Sequence, residues 1–123
     1  MSFLTDRKRA VGMGASHVGT HHHWSMTVSS VGLLILVPLF VFTFGPMLGA
    51  PHAEVAAFFA RPFPAIVAAL TFVVGFMHFK NGVQVAIEDY TSGMTRKILI
   101  IAMICLSYGA AATGVFAVAR LAL

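Results

Sequence analysis

His78 is the residue on which chemistry would centre. It follows Val73-Val74-Gly75-Phe76-Met77 in an apolar stretch that closes at Glu88-Asp89-Tyr90. At the helical rise it stands roughly 15 Å inside the Tyr90 end of that stretch, where an imidazole in lipid finds no water to bond. It therefore needs a partner. Two readings meet that need: ligation of haem iron through a ring nitrogen, or a hydrogen bond to a neighbouring helix. At 100° per residue, Gly75 and Gly82 fall within about 60° of His78, which strips side chains from the face around the imidazole. A flat macrocycle fits such a face, and so does a closely packed helix.

The other histidines are placed differently. His21, His22 and His23 border the first apolar stretch, while His17 and His52 lie outside the spans. One chain thus offers one deep imidazole, and a bis-histidine haem would need its second ligand from another subunit. Three successive histidines point around a helix rather than converging on a metal. An interfacial position, near haem propionates, suits them better.

Glu88 and Asp89 put two carboxylates at a helix C-terminus, where they oppose the macrodipole at a typical cost of about 0.3 to 1 kcal/mol each. Arg96 and Lys97 in the following loop are the candidates to compensate. Asp89 comes eleven residues after His78, or about 20° away around the axis, so both share a face at different depths. Tyr90 adds a phenol at the water boundary, a position that the interfacial aromatic belt also explains. Lys80, about 200° from His78, lies on the opposite face, deep enough to require snorkelling or an acidic neighbour in another subunit.

These residues need membrane helices to hold them. The chain has 123 residues, 59% hydrophobic and 10% charged, with a mean hydropathy of +0.89, whereas a soluble domain carries charge on about a quarter of its residues. No Asp, Glu, Lys or Arg occurs between Arg9 and Glu54. The expected organisation is an N-terminal segment over 1–23, membrane spans over 24–48, 61–90 and 98–123, and loops over 49–60 and 91–97. Pro38 lies inside the first span and Gly45-Pro46 helps end it, while Pro62 and Pro64 suit the first turn of the second. In the third, Gly109 with Thr113 and Ala110 with Gly114 are small pairs four apart that admit a close helix. The fold class is all-α: three transmembrane helices forming part of a heteromeric bundle. The first stretch is too long and too far from the start for a signal peptide. Cys105, alone in an apolar run, reads as packing. The charge of +4 comes from basic residues scattered at helix ends without interleaved aromatics, which argues against nucleic acid. Arg7, Lys8, Arg9, Arg96 and Lys97 stand on one side and Arg61 and Arg120 on the other. This asymmetry puts the N-terminus in the cytoplasm, the C-terminus outside and the His52–Glu54 loop in the periplasm of a bacterial inner membrane.

The stretch His78-Phe79-Lys80-Asn81-Gly82-Val83-Gln84, leading into Asp89-Tyr90, resembles the H-x(10)-D-Y signature of the hydrophobic membrane anchor subunits of succinate dehydrogenase. Phe3-Leu4-Thr5-Asp6-Arg7, Gly19-Thr20-His21-His22 and Arg61-Pro62 extend the likeness over essentially the whole chain. The resemblance implies that His78 ligates haem b, with the other axial histidine on a partner cytochrome b subunit. It also implies that Tyr90 hydrogen-bonds ubiquinone with Asp89 beside it, and that succinate is oxidised in separate flavoprotein and iron–sulfur subunits. Thr27 stands where some members have a basic residue near the propionates, which leaves His21 as the candidate propionate contact. The implied function is an anchor and electron-transfer subunit with no complete active site of its own. A transporter or channel protomer with His78, Lys80 and Glu88 as a proton relay is the alternative, and a structural partner without cofactor a third.

Overall fold

The structure is a computed structural model that describes residues 3–14 and 19–123; His17 lies outside them. The described residues form five helices and no strand: α1 (Asp6–Val11), α2 (Gly19–Phe44), α3 (His52–Phe59), α4 (Pro62–Tyr90) and α5 (Gly93–Ala122), with a 3₁₀ turn at Gly45–Met47. Gly19–Met47, Pro62–Tyr90 and Gly93–Ala122 are each long and apolar enough to cross a membrane, in accord with the three-span, all-α reading. At 1.5 Å per residue all three exceed a hydrocarbon core of about 30 Å, so their ends reach the headgroups.

Local chemistry explains the boundaries. Thr5 caps α1, its hydroxyl accepting the Lys8 N–H at 3.2 Å, with Asp6 in the favourable first turn. α2 is already helical at Gly19, so His21, His22 and His23 ride on its early turns, and it continues through Pro38. The connection over 49–60 contains α3. Pro62 opens α4 where the missing N–H costs nothing. Between α4 and α5 the chain reverses over Thr91 and Ser92, and Gly93 at φ 63 takes the left-handed conformation this turn demands.

α4 is the central helix, with α2 and α5 both packed against it. Apolar packing is densest at the end where α3 joins. There Phe59, Ala65, Ala68 and Val118 are buried against Phe40, Phe44, Phe58 and Phe72. The rings interlock: Phe40 stacks on Phe44 at 5.3 Å and meets Phe72 edge-on at 6.4 Å, while Phe58 meets Phe59 edge-on at 5.5 Å. Of the small residues paired in α5, Gly114 serves this interface, because it lies under the Phe72 ring. It is an aromatic ring that seats there, not a helix backbone. Gly109 and Thr113 face outward, and Gly109 has nothing within 4 Å. No residue of α2 is buried.

Candidate functional site

The contact between α2 and α4 carries a ladder of polar side chains. His22, Ser25 and Ser29 recur at intervals of three and four along α2, which places them on one stripe; His78 and Asn81, three apart, do the same on α4. Ser29 Oγ lies 2.9 Å from His78 Nδ1. The same hydroxyl donates to the carbonyls of Ser25 at 2.8 Å and Met26 at 2.9 Å. With its one proton turned to the helix, its lone pair can accept from Nδ1–H, and this is the tautomer in which every bond in the network is made. In the reverse tautomer the hydroxyl would turn its proton to Nδ1 and forfeit the bond to the backbone, a loss of about 0.5–1.5 kcal/mol. In the first arrangement Nδ1 of His78 is occupied by Ser29, and its Nε2 has no hydrogen-bond partner among the described residues. That is the form in which an imidazole ligates a metal. No cluster of three or more His, Cys, Asp or Glu gathers to hold a metal ion among the described residues. Iron at His78 would take one nitrogen from this chain.

One turn from His78, the buried Asn81 donates its amide N–H to Ser25 Oγ at 3.2 Å, a second tie between the helices. His21, His22, Ser25 and Asn81 line a recess of about 220 Å³. His22 Nε2 is buried without a partner, which leaves a polar atom there unsatisfied within the chain. His21 is exposed and on the rim of that recess, whereas Thr27 turns its hydroxyl back to the His23 carbonyl at 3.1 Å. Gly75 and Gly82 do not form a bare face: a Cβ would lie 4.0 Å from Leu33 on Gly75 and 3.8 Å from Met26 on Gly82. The α2 helix of this chain lies on that side, at distances that an added Cβ would meet as ordinary van der Waals contacts.

At the far end of α4, Asp89 and Tyr90 are exposed, Tyr90 to 89%, and neither side chain has a hydrogen-bond partner among the described residues. Arg96 does not pair with the carboxylates. Its guanidinium donates to the Glu88 and Thr91 carbonyls, both at 2.8 Å, so the cation sits on the negative end of α4 and caps it. Glu88 accepts instead from Gln84 Nε2 at 2.8 Å. Lys80 extends toward α5, its ammonium 5.9 Å from the centre of the Tyr108 ring. The proposed relay residues His78, Lys80 and Glu88 thus engage three different neighbours, and no hydrogen bond among the described residues links them.

Ser25, Ser29 and Asn81 escaped the sequence reading. The available signal was their spacing: two serines four apart within an apolar span, and an amide three residues after the deep histidine.

Residues 1–113 match the family described as the succinate dehydrogenase/fumarate reductase transmembrane subunit. The chain belongs to this family. A succinate dehydrogenase hydrophobic membrane anchor subunit from Paracoccus denitrificans is 43% identical over 123 residues, covering 100% of the chain and 95% of that protein. No solved structure matches the chain. As a transmembrane subunit of the succinate dehydrogenase/fumarate reductase family, it is a membrane anchor. This is the family that the His78-to-Tyr90 stretch resembles, and its presence favours the anchor reading over the transporter one.

Proposed function

We propose that the chain anchors succinate dehydrogenase in a bacterial inner membrane, contributes His78 as one axial ligand of a haem b shared with a cytochrome b subunit, and helps form the site of ubiquinone reduction. Haem b, when bound, supplies reversible one-electron storage. The observation carrying this reading is the state of His78: deep in a span, with Nδ1 tied to Ser29 and Nε2 unpartnered. The single imidazole calls for a second ligand from the cytochrome b subunit. His21 and the unsatisfied His22 Nε2 line the recess beside Asn81, about two turns from Ser29 toward the start of α2, suited to donate to propionate oxygens.

Tyr90 is suited to donate its phenolic proton to a ubiquinone carbonyl, its ring half in lipid and its hydroxyl in the polar boundary. Asp89 cannot face a carbonyl directly while ionised, because both groups only accept. It supports the site by accepting from a neighbour or passing on protons. The basic asymmetry of the loops puts this end of α4 in the cytoplasm, where the flavoprotein and iron–sulfur subunits would dock and deliver electrons. Succinate oxidation itself belongs to those subunits.

The test is the reduced-minus-oxidised spectrum of the purified complex. His78→Ala should abolish or perturb the b-type bands while the subunits still co-purify. A wild-type spectrum in that variant refutes the ligand assignment. The chain expressed alone should hold little low-spin haem, and co-expression with the cytochrome b subunit should restore it.

A further inference from the structure

We infer that Ser29 is a positioning residue for His78: it fixes which ring nitrogen faces the iron and limits how strongly that nitrogen donates. The inference rests on the reading of His78 as an axial ligand and deepens it. Both halves follow from one hydroxyl. Its hydrogen is shared between the carbonyls of Ser25 and Met26, which pins the serine rotamer against its own helix. The lone pair left over accepts the Nδ1–H of His78 at 2.9 Å, which orients the ring from across the helix interface. The Asn81 bond to Ser25 ties the helices one turn away and holds that distance.

The chemical kind of acceptor matters as well as its place. A carboxylate on Nδ1–H would pull the proton and give the ring imidazolate character, strengthening its donation to iron. A neutral hydroxyl pulls far less. No carboxylate competes for this position, because α2 contains neither Asp nor Glu and the nearest acidic residues of α4, Glu88 and Asp89, come ten and eleven residues after His78. Ser29 therefore gives His78 a defined orientation with only moderate basicity. Removing the hydroxyl weakens donation further and frees the ring to rotate. The ferric state, which depends more on that donation, then loses stability relative to the ferrous state.

The test uses the assembled complex with Ser29→Ala, Ser29→Thr and, as a control, Ser30→Ala. Ser30 makes the same kind of bond to the Met26 carbonyl but does not touch His78. Potentiometric titration of the haem and the low-spin ferric signal in electron paramagnetic resonance are the readouts. Ser29→Ala should raise the midpoint potential and shift or broaden the ferric signal, with Ser29→Thr and Ser30→Ala close to wild type. A fully loaded Ser29→Ala complex with wild-type potential and signal overturns the inference. Where Ser29→Ala fails to load haem, the threonine variant decides: wild-type loading and potential support the inference, and impairment equal to alanine overturns it. Failure of the underlying reading looks different, since His78→Ala would then keep its haem.

Discussion

Gly114→Ala tests the packing of α5 on α4 most sharply. A Cβ at this position would lie 2.7 Å from both Cγ and Cδ1 of Phe72, and 3.1 Å from Cδ2. Cγ is the root of the ring, so a small swing of the far edge cannot relieve the clash. The ring is also hemmed in by Phe40, edge-on at 6.4 Å, and Phe76, stacked at 6.4 Å. Overpacking of this kind costs about 1–3 kcal/mol. Alanine recovers roughly 0.8–1.0 kcal/mol of helix propensity, which leaves a net destabilisation of about 0 to 2 kcal/mol. The net figure alone is a weak discriminator, so the cycle with Phe72→Leu carries the test. Removing the ring should relieve the clash and expose the propensity gain, giving a coupling of roughly 1 kcal/mol or more. Stability is read from denaturant titration of the complex in detergent, followed by far-ultraviolet circular dichroism. Coupling within about 0.5 kcal/mol of zero would refute the geometry. Gly109→Ala, with open space around its Cα, should show no coupling to Phe72.

Further expectations concern the Tyr90 end of α4 and the orientation. Arg96→Ala removes two bonds to the terminal carbonyls of α4, and should cost about 1–2 kcal/mol, read as faster amide hydrogen exchange over the last turn of α4; unchanged exchange would refute the cap. Tyr90→Phe should lower quinone affinity or reduction rate several-fold, the value of one hydrogen bond of about 0.5–1.5 kcal/mol, while succinate oxidation with a soluble artificial acceptor survives. Equal quinone reductase activity at normal haem content would return Tyr90 to the aromatic belt. A reporter fused after Leu123 should report the periplasm and one placed within Thr91 to Thr95 the cytoplasm, and the opposite result would move the quinone site to the other side of the membrane.

The parts of this protein legible in its sequence are those set by short-range rules. Three spans follow from apolar length alone, and the end of the second from Glu88-Asp89-Tyr90 and the loop after it. The start of α2 was not legible, because Thr20 and the three histidines are polar, and polarity does not prevent a helix from projecting beyond the apolar core. The short α3 was hidden for a similar reason: eight residues between two prolines carry too little periodicity to separate a helix from a loop. The depth of His78 was plain, but its partner was not. Ser29 is 49 positions away and Ser25 lies 56 from Asn81, so the pairing depends on the register between two helices, which no local pattern encodes. The same gap hides that Leu33 and Met26 of α2 are the neighbours of Gly75 and Gly82.

That register has a physical basis in what the chain lacks. In lipid the apolar face of a helix gains little by meeting another apolar face, since the surrounding tails are equally apolar. No residue of α2 is fully buried, and its apolar hold on the chain is concentrated at one end, where Phe40 meets Phe72 and Phe44 meets Phe59. Sliding α2 by one residue along α4 would disturb those ring contacts. It would also unpair Ser29 from His78 and Ser25 from Asn81, and leave their polar atoms facing hydrocarbon. The polar ladder thus fixes the register at one end of α2, as the ring contacts do at the other. The polar residues that help fix the position of α2 are the same ones that orient the imidazole, so a substitution at Ser29 or Ser25 acts on the fold and on the candidate ligand together. Separating those two effects requires a control on the same helix that bonds the backbone without reaching His78, and Ser30 provides it.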